Sequence, residues 1–83
     1  MPKSDYSDAE LTFPRLQVKM YTVDGTTQLV DIWLWKQAGT ERFQVAKGQR
    51  GGTVEETHRL IDEFKIKYGA QCEADDIDAD LST

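Results

Sequence analysis

Residues 15–36 read RLQVKMYTVDGTTQLVDIWLWK, and the alternation in this stretch decides the fold. From Arg15 to Val23 polar and apolar residues take turns, the period of a half-buried strand. Leu16, Val18 and Met20 share one face; Arg15, Gln17, Lys19 and Tyr21 share the other. A second run, 28–36, is rich in β-branched and aromatic residues and reads as another strand. Val30, Ile32 and Leu34 point one way; Leu29, Asp31, Trp33 and Trp35 point the other.

Asp24-Gly25 marks a hairpin between them. A two-residue loop sets Leu16 against Trp33, so the aliphatic faces disagree. A three-residue loop, Val23-Asp24-Gly25, sets Leu16 against Ile32 and Val18 against Val30, so they agree. The bulged three-residue turn is therefore expected.

A third strand follows at 41–47, after a turn through Ala38-Gly39. Pairing Lys36 with Glu41 sets Leu34 against Phe43 and Ile32 against Val45, with an opposite-charge pair at the sheet end. Lys47-Gly48-Gln49-Arg50-Gly51-Gly52 reads as a flexible glycine-rich connector; it lacks the full phosphate-loop pattern. Thr53 with Glu56 is a capping box, and Gly69 fits a helix stop. Between them Thr57, Leu60, Ile61, Phe64 and Tyr68 form one apolar stripe, which suits the aliphatic face of the sheet. Ile66 falls on the opposite side of the helix. The fold class is thus α+β: a three-stranded antiparallel meander with one C-terminal helix on one face, βββα.

Outside this body the patterning weakens. Ser7 to Leu11 reads as a single helical turn, and Pro14 turns the chain to extended structure. Beyond Cys72 the sequence is acidic and poor in bulky residues, so 73–83 is expected to be a disordered tail. The 83 residues make one domain, 1–83, with an ordered core over 13–71.

The net charge of -5 is unevenly spread. Residues 13–72 hold nine bases against seven acids, while 1–12 carry -2 and 73–83 carry -5. No apolar run is long enough to span a membrane. The single cysteine, Cys72, rules out an internal disulfide and suits a reducing cytoplasm. Metal and cofactor sites are not expected. The acids of 73–80 lack the glycine and terminal glutamate of a calcium loop. His58, the one histidine, has no nucleophile patterned beside it. An enzyme is not expected.

The polar sheet face carries the functional expectation. Arg15 is placed opposite Trp33, and Arg42 opposite Trp35, with Tyr21, Lys19, Gln17 and Gln44 around them and Asp31 as the one acid. A single helix covers one face of a sheet only, so two tryptophans are left for something else to cover. Three occupants compete. The N-terminal segment with Tyr6, Leu11 and Phe13 can fold across them. A protein partner or a second copy, giving a homodimer, can dock on them. A single-stranded nucleic acid can stack on them.

The main expectation is a non-catalytic protein-binding module. Its contact residues are Trp33, Trp35, Tyr21, Arg15, Arg42 and Asp31, joined by the tail acids Asp75, Asp76 and Asp78. Small acidic domains of this simplicity suit inhibitors carried by phages and mobile elements, anti-CRISPR proteins among them, whose carboxylates fill a basic nucleic-acid site. That is an analogy of size and charge. The alternative is a single-stranded nucleic-acid-binding protein.

Overall fold

A computed structural model describes residues 6, 11–39 and 41–80 of the chain. Its elements are β1 (Arg15–Val23), β2 (Thr27–Trp35), β3 (Phe43–Arg50), α1 (Val54–Tyr68), a 3-10 turn (Ala74–Asp76) and β4 (Ile77–Asp80). They form a four-stranded mixed sheet in the order β3-β2-β1-β4, with one helix. The meander and the helix agree with the sequence pattern. The fourth strand corrects it, because the segment expected to be a disordered tail supplies a parallel edge strand on β1. The expected helical turn over Ser7–Leu11 lies largely outside the described residues.

The first hairpin keeps the three-residue loop but places it one residue later. Val23 pairs with Thr27, leaving Asp24-Gly25-Thr26 as the loop, so Leu16 meets Leu34 and Val18 meets Ile32. Moving both strands by one residue preserves the faces, which is why the aliphatic pattern could not tell the two registers apart. Local chemistry settles it. Asp24 and Gly25 both have positive φ, at 55° and 75°. The Asp24 carboxylate then accepts from Thr26 N, Thr26 Oγ1 and Thr27 N at 3.2, 2.7 and 3.2 Å. Those bonds hold the Asp24 carboxyl below the usual carboxylate range.

The second expected register holds at one point and then slips. Leu34 pairs with Phe43, but Ile32 pairs with Ala46 instead of Val45, and the ladder slips again before Val30 and Gln49. Each slip is a bulge, and Val45 is the extra residue of the first. The expected Lys36–Glu41 pair does not form part of the ladder, since β2 ends at Trp35 and β3 begins at Phe43. Lys36 lies over the Phe43 ring instead, 5.1 Å from its centroid. The supposed connector 47–52 is a strand as far as Arg50.

The helix forms where its caps stand. Thr53 Oγ1 accepts from Glu56 N at 3.1 Å, and the Glu56 carboxylate accepts from Thr53 N at 3.3 Å. Gly69 ends it in the left-handed conformation. Thr57 and Ile61 are buried, and Leu60, Phe64 and Tyr68 pack against the core as the stripe requires. The core proper is Leu16, Val18, Met20, Val30, Ile32, Leu34, Ala46, Ile61 and Ala70. The helix connects β3 at one edge of the sheet to β4 at the other, so it must cross this apolar face. Among the described residues, no helix is long and apolar enough to cross a membrane.

Gly51 sits at the strand-to-helix junction and has no room for a side chain. A Cβ there would collide with Thr57 Oγ1 and come within 3.1 Å of Val30 Cγ2. Gly51→Ala is therefore expected to destabilise the fold by about 1–3 kcal/mol through overpacking. Urea unfolding checks this. Adding Thr57→Ala, which removes the clashing hydroxyl, should recover part of the loss; no recovery would place the cause elsewhere.

Candidate functional site

Strand alternation turns Gln17, Lys19 and Tyr21 of β1 away from the helix, together with Leu29, Asp31 and Trp33 of β2. At one end of this second face, near Arg15 and Trp35, the sheet is closed over. Tyr6 is fully buried, and its ring stacks on Trp35 with centroids 4.9 Å apart and planes 16° from parallel. Tyr6 O accepts a hydrogen bond from Gly39 N at 3.2 Å, fixing the segment against the second turn. Tyr6 therefore occupies the Trp35 end of the face. Leu11 and Phe13, the other residues expected there, are half-buried.

Beneath Tyr6 lies a buried ion pair. Arg15 Nη1 donates to Asp76 Oδ2 at 2.6 Å, and both side chains are about fully enclosed, at 5% and 1% exposure. Tyr6 Oη donates to Asp76 Oδ1 at 2.9 Å, and Glu73 N donates to Asp76 Oδ2 at 2.8 Å. Arg15 completes its donors on Thr12, through Nε to the carbonyl at 3.1 Å and Nη2 to the hydroxyl at 3.0 Å. One carboxylate thus ties the N-terminal segment, the start of β1 and the turn before β4 together. Burial, then the Asp76 hydrogen bond and charge, push the Tyr6 phenol well above its usual range. Burial, then the Asp76 charge, push the Cys72 thiol up to about 12.

Among the described residues, nothing closes over the middle and far parts of the face, whose side chains are half-buried to exposed. Trp33 is half-buried, with the Arg42 guanidinium 4.4 Å above its ring. Gln17 Oε1 accepts from both Arg42 Nη1 and Trp35 Nε1, at 2.7 and 3.1 Å. This side chain links the open tryptophan's cation to the buried tryptophan. Lys19 stands between Asp31 on β2 and Asp78 on β4 in the register of the sheet. Asp31 Oδ1 accepts from Tyr21 Oη at 3.1 Å and from Gly48 N at 2.6 Å. Tyr21 is raised above its ordinary value, by desolvation first and the Asp31 hydrogen bond second.

Register corrects the expected cross-strand pairs: Arg15 faces Trp35, and Trp33 lies between Gln17 and Gln44. Of the nine residues singled out, Trp33, Arg42, Tyr21, Asp31 and Asp78 share the open face. Arg15, Trp35 and Asp76 are brought together too, but inside the fold. Asp75 is exposed on the 3-10 turn. Asp76, which the sequence places among the contact acids, instead holds Arg15, Tyr6 and Glu73 inside the fold. A signal for it existed in the alternation Ile77-Asp78-Ala79-Asp80, a strand pattern inside an acidic stretch. Among the described residues, no group of three or more His, Cys, Asp or Glu is placed to hold a metal.

Two outcomes follow from the buried carboxylate and its neighbours. Asp76→Ala leaves Arg15 charged and enclosed without its partner, and should cost about 3–5 kcal/mol. The paired change Arg15→Met with Asp76→Leu should cost clearly less in urea unfolding. A double variant as unstable as the single one would show that the charge itself is not the cause. The raised Cys72 gives a pH dependence with a definite sign. Between its ordinary value near 9 and about 12 the unfolded chain has released this proton and the folded chain has not. Its contribution is thus full below about pH 9 and lost as pH rises toward 12, by at most about 1.4 kcal/mol per pH unit. Unfolding midpoints taken from about pH 8 to about pH 11 should fall, and fall less steeply in Cys72→Ala. Equal slopes in the two proteins would refute the assignment. Comparison of the chain with protein-family models, with curated proteins and with solved structures finds no match, so the site rests on its own geometry.

Proposed function

We propose that the chain is a non-catalytic protein-binding module that grips its partner through the open sheet face centred on Trp33. The observation that carries this reading is a half-buried tryptophan with a stacked arginine on a sheet face the helix leaves uncovered. Tryptophan, tyrosine and arginine are the residues that most often anchor protein interfaces. Gln17 holds Arg42 in place over the ring, so little side-chain freedom is lost on docking. The face is mixed in charge, with Lys19 and Arg42 beside Asp31 and Asp78. Mixed polarity suits a protein surface, where complementary charges set register and orientation. The reading extends to an inhibitor of the anti-CRISPR kind, carried by a phage or mobile element. In that form Asp75 and Asp78 stand in for phosphates in a basic cleft; Asp76, whose carboxylate is engaged inside the fold, does not take part.

A second reading, a single-stranded nucleic-acid binder, has one observation in its favour. Arg42 over Trp33 and Lys19, 5.9 Å from the Tyr21 centroid, are cation–aromatic pairs on the same face. Against it, Tyr6 already holds the stacking position on Trp35, and Asp78 brings negative charge beside Lys19.

Trp33→Ala should remove about 2 kcal/mol or more from partner binding, while Ile66→Ala, on the far side of the helix, should leave it unchanged. Affinity capture with the unaltered chain and with each of these two variants, followed by titration of the captured partner, tests this. Capture that is indifferent to Trp33→Ala would sink the reading. Saturable, salt-sensitive quenching of Trp33 fluorescence by a single-stranded oligonucleotide would move the assignment to the second one.

A further inference from the structure

We infer that the outer edge of β3 accepts an acidic, extended segment of a partner protein as a fifth strand. This rests on the protein-binding reading above and adds the chemistry of the partner. Residues 42–54 carry Arg42, Lys47 and Arg50 and no acid. β3 pairs with β2 on one side, and among the described residues no strand pairs with its other side. Arg42 is engaged with Trp33 and Gln17. Lys47 and Arg50 are exposed, and no ion pair among the described residues includes either. An edge of this kind offers main-chain donors and acceptors for strand addition, with charge to select the strand.

The opposite edge shows the same chemistry already satisfied. β1 carries Arg15 and Lys19 and no acid; the strand it accepts, Ile77–Asp80, carries two acids and no base. Lys19 is in register with Asp78, and Arg15 binds Asp76 just before the strand begins. The protein thus completes one edge by adding an acidic strand to a basic one. β3 presents a like charge at the other edge and has no such neighbour among the described residues.

The bases Lys47 and Arg50 also set which strand the edge accepts. They deter β3 from pairing with β3 of a second copy, because like charges would face each other across the new ladder. An acidic strand meets no such repulsion. The chain's own acidic strand is not available to another copy, since Asp76 holds it inside the fold. At the start of β3, Phe43 is 45% exposed and borders a cleft of about 410 Å³ whose other walls are Lys36, Gln37, Ala38, Gly39 and Glu41, so this end of the edge carries one acid beside one base. That cleft gives one apolar side chain of the incoming strand a place beside the Phe43 ring.

The probe is a capped octapeptide with the sequence of Glu73–Asp80, titrated into the isotope-labelled full chain and followed by amide NMR at low salt. Saturable shifts are expected on Phe43–Arg50, unchanged by Trp33→Ala. Lys47→Glu with Arg50→Glu should weaken binding by about tenfold or more, and added salt should weaken it too. The milder pair Lys47→Gln with Arg50→Gln, checked for native Trp emission, guards against misfolding and should weaken it less. A peptide with every acid replaced by lysine should produce no shifts. Absence of shifts at millimolar peptide, shifts that survive the charge reversals, or shifts centred on Trp33 would each overturn the proposal. So would self-association of the chain that the same reversals abolish, which would give the edge to a second copy. The parent reading fails by a different result, a partner indifferent to Trp33→Ala, so the two failures are distinct.

Discussion

The buried carboxylate of Asp76 is the contact on which the arrangement of the chain ends depends. An enclosed charge is tolerated only when its lone pairs are filled, and here a guanidinium, a phenol and a backbone N–H fill them. The three donors come from far-apart parts of the sequence. Arg15 opens β1, Tyr6 lies ahead of it, and Glu73 follows the helix. The ion pair and the Tyr6–Trp35 stack do together what a larger core would do in a larger domain.

From that clasp the edge of the sheet follows. Gln71 lies alongside β1, with Leu16 N donating to Gln71 O at 2.8 Å and Gln71 N to Pro14 O at 2.9 Å. The 3-10 turn then carries the chain over Asp76, and Ile77–Asp80 pairs in parallel with Val18–Tyr21. β1 becomes an inner strand, and its apolar face is sealed by the helix. The price of an ionic clasp is some stability against an apolar equivalent, but it ties Tyr6, Arg15 and the turn before β4 to one carboxylate.

The same clasp divides the second sheet face into two territories. Near Trp35 it is an interior, closed by Tyr6 and stitched by Gln17. Beyond Gln17 it is a surface, with Trp33 and Arg42 at its centre and the Tyr21–Asp31–Gly48 cluster at its far end. Two tryptophans two residues apart thus have different environments, Trp35 enclosed and Trp33 half-buried, although the strand presents them on the same side. Gln17 stands on the border and bonds to both parts.

The sequence by itself determined what is local or periodic. Alternation set the faces of β1 and β2, the Thr53–Glu56 box and Gly69 set the helix, and the 3.6-residue stripe set the side it buries. Parity alone rejected the two-residue hairpin loop. What parity cannot do is distinguish registers two apart in pairing sum, so the loop position was left to Asp24's own hydrogen bonds. Bulges are equally invisible to it, and β3 ran on through Gly48, in a stretch that read as a connector. The tertiary structure alone decided the fate of Trp35, Arg15 and Asp76. Each is polar or amphipathic, and in the sequence each reads as surface. Arg15 and Asp76 are enclosed through each other across 61 residues, and Trp35 through Tyr6 from outside its own hairpin, and no local pattern records whether such a partner arrives.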